Sequence, residues 1–569
     1  MLAAIEACLT ERLKAALGPD AAALPPAAFR WEIPKDLAFG DLSSSVAFKL
    51  AAARKQPPHA VAQQLAGTLN RTPDGWVQQV EARGGFVNVF FAEEVLTRLL
   101  QRILSQREAF GRVRQVPAAA VNIEFVSANP TGPLSVAHGR QAAVGDVLAR
   151  LLRSQGARVT TEFYLNDEGR QIEMLGRSLQ ARYAQALGRD QAMLEDGYLG
   201  AYVTEQAQAL RRAYGDRLLE ERSLEWFSEQ GAQEQLARIR QDLEQFGLRF
   251  DRWTSQRWLR TSGRIEAALR TLEAKGALYA ADGAVWFAST RFGDDKDRVI
   301  RKQDGELTYF APDIAYHLDK FRRGFDQVLN LWGPDHHGYI PRMKAAAAAL
   351  GESPERLIVR IVQLVTLSRG GAPVPMSKRQ GEFVTFREIM DEVGVDATRF
   401  FYLMRTMESH LEFDLELAKA QSQENPVFYV QYAHARICSI LAKARLPWTV
   451  RVRPPDLALL RQPEERLLLR VLFQYPVMLR LSAQAMEPHG ITTYLRRLAE
   501  QFHVFYTKHR VITDDAALSA ARLVLVRGAR QVLANGLGLL GVSAPRRMDR
   551  TAARPGSDEW RAGEPAPVA

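Results

Sequence analysis

The sequence predicts an α/β protein: a parallel-sheet core set between an N-terminal α+β segment and an all-helical C-terminal part. Two observations carry this. From residue 121 a β-rich run, a turn, a long amphipathic helix and a second β-rich run follow one another. Strand, loop, helix, strand is the order that lays down parallel strands and forms nucleotide-binding sheets. From about residue 396 onward the pattern is almost wholly helical. A length of 569 residues is enough for three to four domains.

Within residues 1–113, Leu2, Ile5, Leu9, Leu13 and Leu17 recur at helical spacing, and Phe86–Phe91 reads as a strand after the Gly84-Gly85 turn. A proline-flanked junction, 112–117, leads into the strand 121–126 and then the turn segment 127–133. The helix over 135–153 is closed by Gly156, and the strand Arg158–Leu165 precedes a helix opened by Asn166-Asp167-Glu168. Residues 170–275 read as mostly helical, with strands at Ala284–Phe287, 327–331 and 357–367. Helices are expected at 427–444, 464–487 and 517–538. The expected domains are 1–113, 114–395 and 396–548, followed by a tail, 549–569, whose Pro, Gly, Ala and charge read as disorder.

Hydrophobic residues make up 47% and charged residues 25%, ordinary for a globular protein. The formal net charge of +10 suits a polyanionic partner such as nucleic acid, although composition alone equally describes a basic soluble protein. Cys8 and Cys438 are too few for a disulfide framework or a four-thiolate zinc site. The first residues carry Glu6 and no basic stretch before an apolar core, and no uninterrupted apolar run nears the ~20 residues that span a bilayer. A cytoplasmic protein without a membrane partner is expected.

The run Glu124-Phe-Val-Ser-Ala-Asn-Pro-Thr-Gly-Pro-Leu-Ser-Val-Ala-His138-Gly-Arg places a loop between a strand and a helix start. Free N–H groups and the dipole at such a start attract phosphate, and an imidazole there can donate to charge developing in a transition state. A lone His in a helix is ordinarily structural. This run, however, resembles the first signature of class I aminoacyl-tRNA synthetases in the form carried by the arginyl-tRNA synthetase family. It departs from the pattern in two places: Ser135 stands for the first His and Ala137 for the Gly. Val374-Pro-Met-Ser-Lys378-Arg-Gln-Gly381, which alone would be a solvated basic turn, is similar to the second signature, with Pro375 at its first lysine position. The resemblance implies a Rossmann-type catalytic domain with His138, Lys378 and Ser135 as catalytic residues. It places ATP, carrying Mg2+, against Pro133, Ser135, Ala137, His138, Met376, Ser377 and Lys378.

The segments Thr308 to Lys320 and Trp332 to Tyr339 also resemble that family. Guanidinium is planar, always charged and rich in donors, so its pocket needs acceptors in its plane. The resemblance implies that Glu124, Asn129, Tyr309 and Asp313 line an arginine pocket, although Asp and Asn near Pro often only cap turns. Asp335-His336-His337 suggests a metal, but adjacent side chains would have to converge with no thiolate nearby, so no protein-held zinc is expected.

Asn425 to Cys438 and Ala534 to Pro545 resemble the family's anticodon-binding helical domain, and residues 1–113 its N-terminal tRNA-contacting module through Asp36 to Asp41. Gln431, Tyr432 and Arg436, with Phe86 and Asn88 in the module, are the implied tRNA contacts; stacked rings beside cations suit single-stranded bases. Much of this stripe reads as core instead, Tyr429, Tyr432 and Ile437 at helical spacing above all. The implied function is ligation of arginine to tRNA(Arg) by a monomer, with activation that needs the tRNA. A cysteinyl relative is a poor fit, since its zinc needs cysteines absent here. A catalytically impaired tRNA-binding paralogue is the alternative, supported by Ser135, Ala137 and Pro375.

Overall fold

The computed structural model describes residues 2–34, 36–71, 75–113, 118–374, 384–444 and 457–548. The tail 549–569 and residues 375–383 therefore lie outside the described residues. The chain divides into two compact units, one of Val113–Ala420 and one of Met1–Arg112 with Gln421–Ala569. Residues 396–420 thus fall with the sheet-bearing unit, since the strand Leu411–Asp414 pairs in parallel with Val365–Arg369.

The centre of the Val113–Ala420 unit is a five-stranded sheet in the order Leu357–Ile361, Gln327–Trp332, Ala120–Glu124, Arg158–Leu165, Arg252–Ser255. Every pairing is parallel. The chain enters at the middle strand, Ala120–Glu124, runs outward to one edge, then returns beside its start with Gln327–Trp332 and continues to the other edge. Connections leaving these two neighbours therefore diverge, which opens a crevice beyond their carboxyl ends, the place where doubly wound sheets bind ligands. The helix Phe310–Arg322 covers one face. Phe310, Ile314 and Phe321 join a core with Leu259, Ile265, Val328, Met343 and Leu357. Arg323, which caps the helix at its C-terminus, is tied to the sheet: it donates to the buried Glu162 at 2.7 Å, which also accepts from Asn122 at 2.7 Å.

The expected strand 357–367 is two strands in different sheets. Val362 donates to Trp332 and Gln363 to Met407, so the chain leaves one sheet for the other between Ile361 and Val365. Asn166-Asp167-Glu168 does not open the next helix, which begins at Arg170 after Gly169, at φ 91°. Asp167 instead accepts from Ser255 Oγ at 2.6 Å and the Arg257 amide at 3.0 Å, capping the turn after the edge strand.

In the other unit, the strands Leu42–Ser44, Phe86–Phe91 and Val77–Arg83 form an antiparallel sheet with Phe86–Phe91 in the middle. The helices Pro426–Lys443, Pro463–Ala485, His489–Lys508 and Ala516–Leu540 form a bundle. The two parts share a core, with the Phe91 and Phe473 rings 4.6 Å apart. Ala516–Leu540 has the length and hydropathy of a membrane span, but most of its apolar window is buried in the bundle, and Arg522 within it pairs with Glu465 at 2.7 Å. Asp41 is fully buried, accepts from the Phe91 amide at 2.8 Å and lies 3.2 Å from Arg470. Burial pushes the Asp41 carboxyl above its usual range against the pull of Arg470. Arg470→Met should destabilise this unit by about 3 kcal/mol, as thermal unfolding would show. A carboxyl whose pKa is raised on folding weakens the fold as pH rises, so the loss should be larger at pH 8 than at pH 4.5.

Candidate active site

The loop after the middle strand starts with two residues that L-amino acids seldom accept in this form, Val126 at φ 67° and Ser127 at φ 38°. Such strain persists where surroundings over-determine it. Ser127 Oγ donates to Glu124 at 3.0 Å and accepts from the Tyr164 amide at 3.1 Å, which turns the loop back over the strand end. The loop then feeds the helix Val136–Ser154 with Ser135 as N-cap. The Ser135 amide donates to His138 Nδ1 at 3.1 Å. An accepting Nδ1 puts the proton of the neutral ring on Nε2, leaving that nitrogen as the donor.

One cavity of about 460 Å3 lies in front of this helix start. Asn129, Pro133, Ser135 and His138 line it together with Gln171, Tyr198 and Tyr202. Asn129 donates to Gln171 at 2.5 Å, and Tyr202 to the Thr131 carbonyl at 2.8 Å. Ala137 sits half-buried in the first helical turn. Behind it, the buried Arg140 donates to the carbonyls of Gln363 and Ser409 at 2.8 Å and of Thr406 at 2.7 Å. Phe386 donates to the Leu134 carbonyl at 2.8 Å, and Ser135 bridges Thr385. The described chain beyond residue 383 thus resumes against the helix start. Met376, Ser377 and Lys378 lie outside the described residues.

A second group of polar residues sits at the carboxyl ends of the two central strands. Lys320, fully buried, donates to Glu124 at 2.5 Å and to Asn330 at 3.0 Å. Asn330 Nδ2 lies 2.7 Å from His317 Nε2, while His317 Nδ1 is 2.8 Å from the Asp313 carbonyl. A carbonyl only accepts, so His317 carries its proton on Nδ1. Burial, with Lys320 nearby, lowers its pKa to about 3, so it is neutral. Asp313 accepts from the Tyr339 hydroxyl at 2.7 Å and, among the described residues, has no cation within ion-pair distance. Part of the residue reaches solvent, yet desolvation of its carboxyl raises the pKa to about 7, with Glu124 adding to the rise and Tyr339 and Lys320 opposing it. The stacked rings of Tyr164 and Tyr316, 4.4 Å apart, wall the same region, and Tyr164 feels the charges of Asp313, Glu124, Asp167 and Glu168. Tyr309 begins the helix and is 68% exposed, so it stands at the rim of this group.

The structure brings Glu124 and Asp313 together, and Asn129, Pro133, Ser135 and His138 together. Asp335, His336 and His337 stand exposed on the 3-10 turn Pro334–Tyr339. Sequence reasoning did not assign roles to Lys320, His317, Tyr339 or Arg140. Asp313, His317 and Lys320 at i, i+4 and i+7 share one helix face, which was the available signal. In the other unit Phe86 is 41% exposed beside Phe48, ring centroids 5.0 Å apart, whereas Asn88 is buried. Gln431 donates to the Ser543 carbonyl at 3.0 Å, Tyr432 stacks 5.9 Å from His503, and Arg436 lies 5.0 Å over Tyr506.

A crevice at the switch point of a parallel sheet, with a helix start facing it, is where doubly wound folds bind nucleotides, and the family model that matches this unit is that of the class I aminoacyl-tRNA synthetases. Family models agree: the class I (R) catalytic domain matches residues 99–408, the arginyl tRNA synthetase N-terminal domain 3–91 and the DALR anticodon binding domain 430–548. The arginine–tRNA ligase of Geobacillus kaustophilus is 47% identical over 91% of this chain and 94% of its own. That of Syntrophotalea carbinolica is 45% identical, with the same coverage of both chains. A solved arginyl-tRNA synthetase structure from Campylobacter jejuni superposes with a TM-score of 0.75 at 33% identity, covering 80% of this chain and all of that one (100%). The chain belongs to the arginyl-tRNA synthetase family.

Proposed function

We propose that this chain activates arginine with ATP and transfers it to the 3′-terminal ribose of tRNA(Arg), with the roles divided between the two polar groups. Asp313 carries the reading: a desolvated carboxyl with a hydroxyl partner and no paired cation among the described residues suits a planar cation that offers two parallel donors. Glu124 offers a second carboxylate, while Asn129 and the exposed Tyr309 would close on the ligand from the rim. Arginine's carboxylate attacks the α-phosphorus of ATP, and pyrophosphate leaves. The terminal ribose hydroxyl of tRNA then attacks the acyl carbon and AMP departs. The helix start at Val136 and the Nε2–H of His138 face the phosphates, with Pro133, Ser135 and Ala137 beside them. Met376, Ser377 and Lys378 complete the phosphate contacts by resemblance. Positioning and charge stabilisation supply the catalysis. Mg2+ enters on the phosphates, which offer it the hard oxygens it prefers. Phe86, Tyr432 and Arg436 are the tRNA contacts that exposure and stacking support; Asn88 and Gln431 would need to move. A cytoplasmic monomer is the form proposed.

Charging assays with arginine, lysine and citrulline test this. Arginine alone should be esterified to tRNA; equal use of citrulline, which is neutral, would refute an acidic pocket. Ser135→His, which restores the family residue, should lower the KM for ATP. Loss of the N-cap should cost about 1 kcal/mol of stability. An unchanged KM in initial-rate assays would show that Ser135 already serves ATP fully.

A further inference from the structure

Lys320 belongs to no substrate contact named so far, yet its ammonium is wholly inside the protein. Its surroundings account for it completely: Glu124 at 2.5 Å, Asn330 at 3.0 Å and the Tyr316 ring 4.1 Å from the ring centre. Asn330 is held in turn by the neutral His317, which is fixed by the Asp313 carbonyl. The chain therefore links the two carboxylates of the pocket, from the middle strand through one face of the helix Phe310–Arg322. Asp313 lies near enough to respond to the charges of both Glu124 and Lys320. A buried ion pair of this kind seldom adds stability over an apolar pair of similar volume, so a different role has to explain its presence.

The charges supply one. Once Asp313 is ionised, as pairing with a guanidinium requires, Glu124 and Asp313 carry two negative charges and Lys320 returns one positive charge, which leaves these three groups at −1. Arginine as a zwitterion has a guanidinium, an ammonium and a carboxylate, a net +1. Without Lys320 the pocket would match a ligand of +2, such as agmatine, which is arginine without its carboxylate. We propose that Lys320 is a positioning residue that orients Glu124 and sets the pocket's net charge, so that the site takes an amino acid with its carboxylate rather than a decarboxylated diamine-like cation. This rests on the reading of Glu124 and Asp313 as arginine ligands.

Calorimetric titration of the full chain with arginine and with agmatine tests it. Lys320→Gln keeps a donor to Glu124 and removes the charge. The preference for arginine over agmatine, as a ratio of Kd values, should fall by about tenfold or more, because a unit charge inside the protein acts strongly over this range. A fall in both affinities with an unchanged ratio would mean a merely structural role and overturn the proposal, as would no change at all. If Lys320→Gln does not fold, Glu124→Gln and Glu124→Gln with Lys320→Met read the same effect, since the first keeps an amide oxygen to accept from the Lys320 ammonium and the second leaves no unpaired ion buried. The ratio should again fall on loss of Lys320, and an equal ratio in the two would overturn the proposal. The wild-type titration separates the two failures: arginine bound no better than citrulline refutes the pocket assignment itself, whatever Lys320 does.

Discussion

Asp313→Asn should raise the KM for arginine by about 10^2–10^3-fold, because truncating one partner of a desolvated charge pair costs roughly 2–5 kcal/mol. The pH dependence gives a sharper signature. In the free protein burial holds the Asp313 pKa at about 7, and a guanidinium pairs with the ionised form. Arginine binding should therefore release a proton below pH 7, and affinity should fall about tenfold per pH unit there. The Asn variant should lose this slope. Stability runs the other way. A carboxyl whose pKa rises from its unfolded value to about 7 on folding favours the folded state at low pH, and that favour is lost as pH climbs from about 4 to 7. Above pH 7 the Asn variant should thus unfold at a higher temperature than the parent while using arginine poorly, a trade of stability for binding. Titrations at pH 6 and 8, with unfolding curves at each, check both halves; a parallel pH slope in the variant would move the proton to another group.

His138→Ala should lower kcat for adenylate formation by about 10^2–10^3, the loss typical of one donor aimed at developing charge. Its Nδ1 is engaged by the Ser135 amide at 3.1 Å, so the ring is held with Nε2 presented as a donor. Deleting the ring also leaves that amide without its acceptor, which should cost about 1 kcal/mol. The kinetic and thermal effects are therefore separable. A raised KM for ATP with kcat intact in single-turnover measurements would make His138 a ground-state contact only.

Much of this was legible in the chain itself. The strand–loop–helix order around residues 120–165 appears where the periodicity puts it, with the helix Val136–Ser154 one residue from the expected 135–153. The edge strand Arg252–Ser255 was not legible, since four residues reading Arg-Trp-Thr-Ser give no alternation to count. Leu411–Asp414 does alternate, but over four residues that signal drowns in helical neighbours. The break at residues 362–364 was hidden because 357–367 reads as one β-rich run without a Gly or Pro to interrupt it, and what parts the two strands is their hydrogen-bond partners. Of the candidate residues given by the signatures, Glu124 falls at the strand end and Pro133, Ser135, Ala137 and His138 at the helix start, while Met376, Ser377 and Lys378 lie outside the described residues. Lys320 stayed silent because its partner Glu124 is 196 residues away in sequence, and a buried ion pair becomes visible only when the fold closes it. Asn88 and Gln431 were named from residue type, which says nothing of burial: Asn88 lies buried in the middle strand opposite Ser43, and Gln431 donates to the Ser543 carbonyl.

The most direct test of the central claim is arginine-dependent exchange of pyrophosphate into ATP, run with and without tRNA(Arg). The account predicts exchange that requires arginine and appears when the tRNA is present. A folded protein that binds the tRNA and gives no exchange under either condition would contradict it and leave a tRNA-binding chain without catalysis.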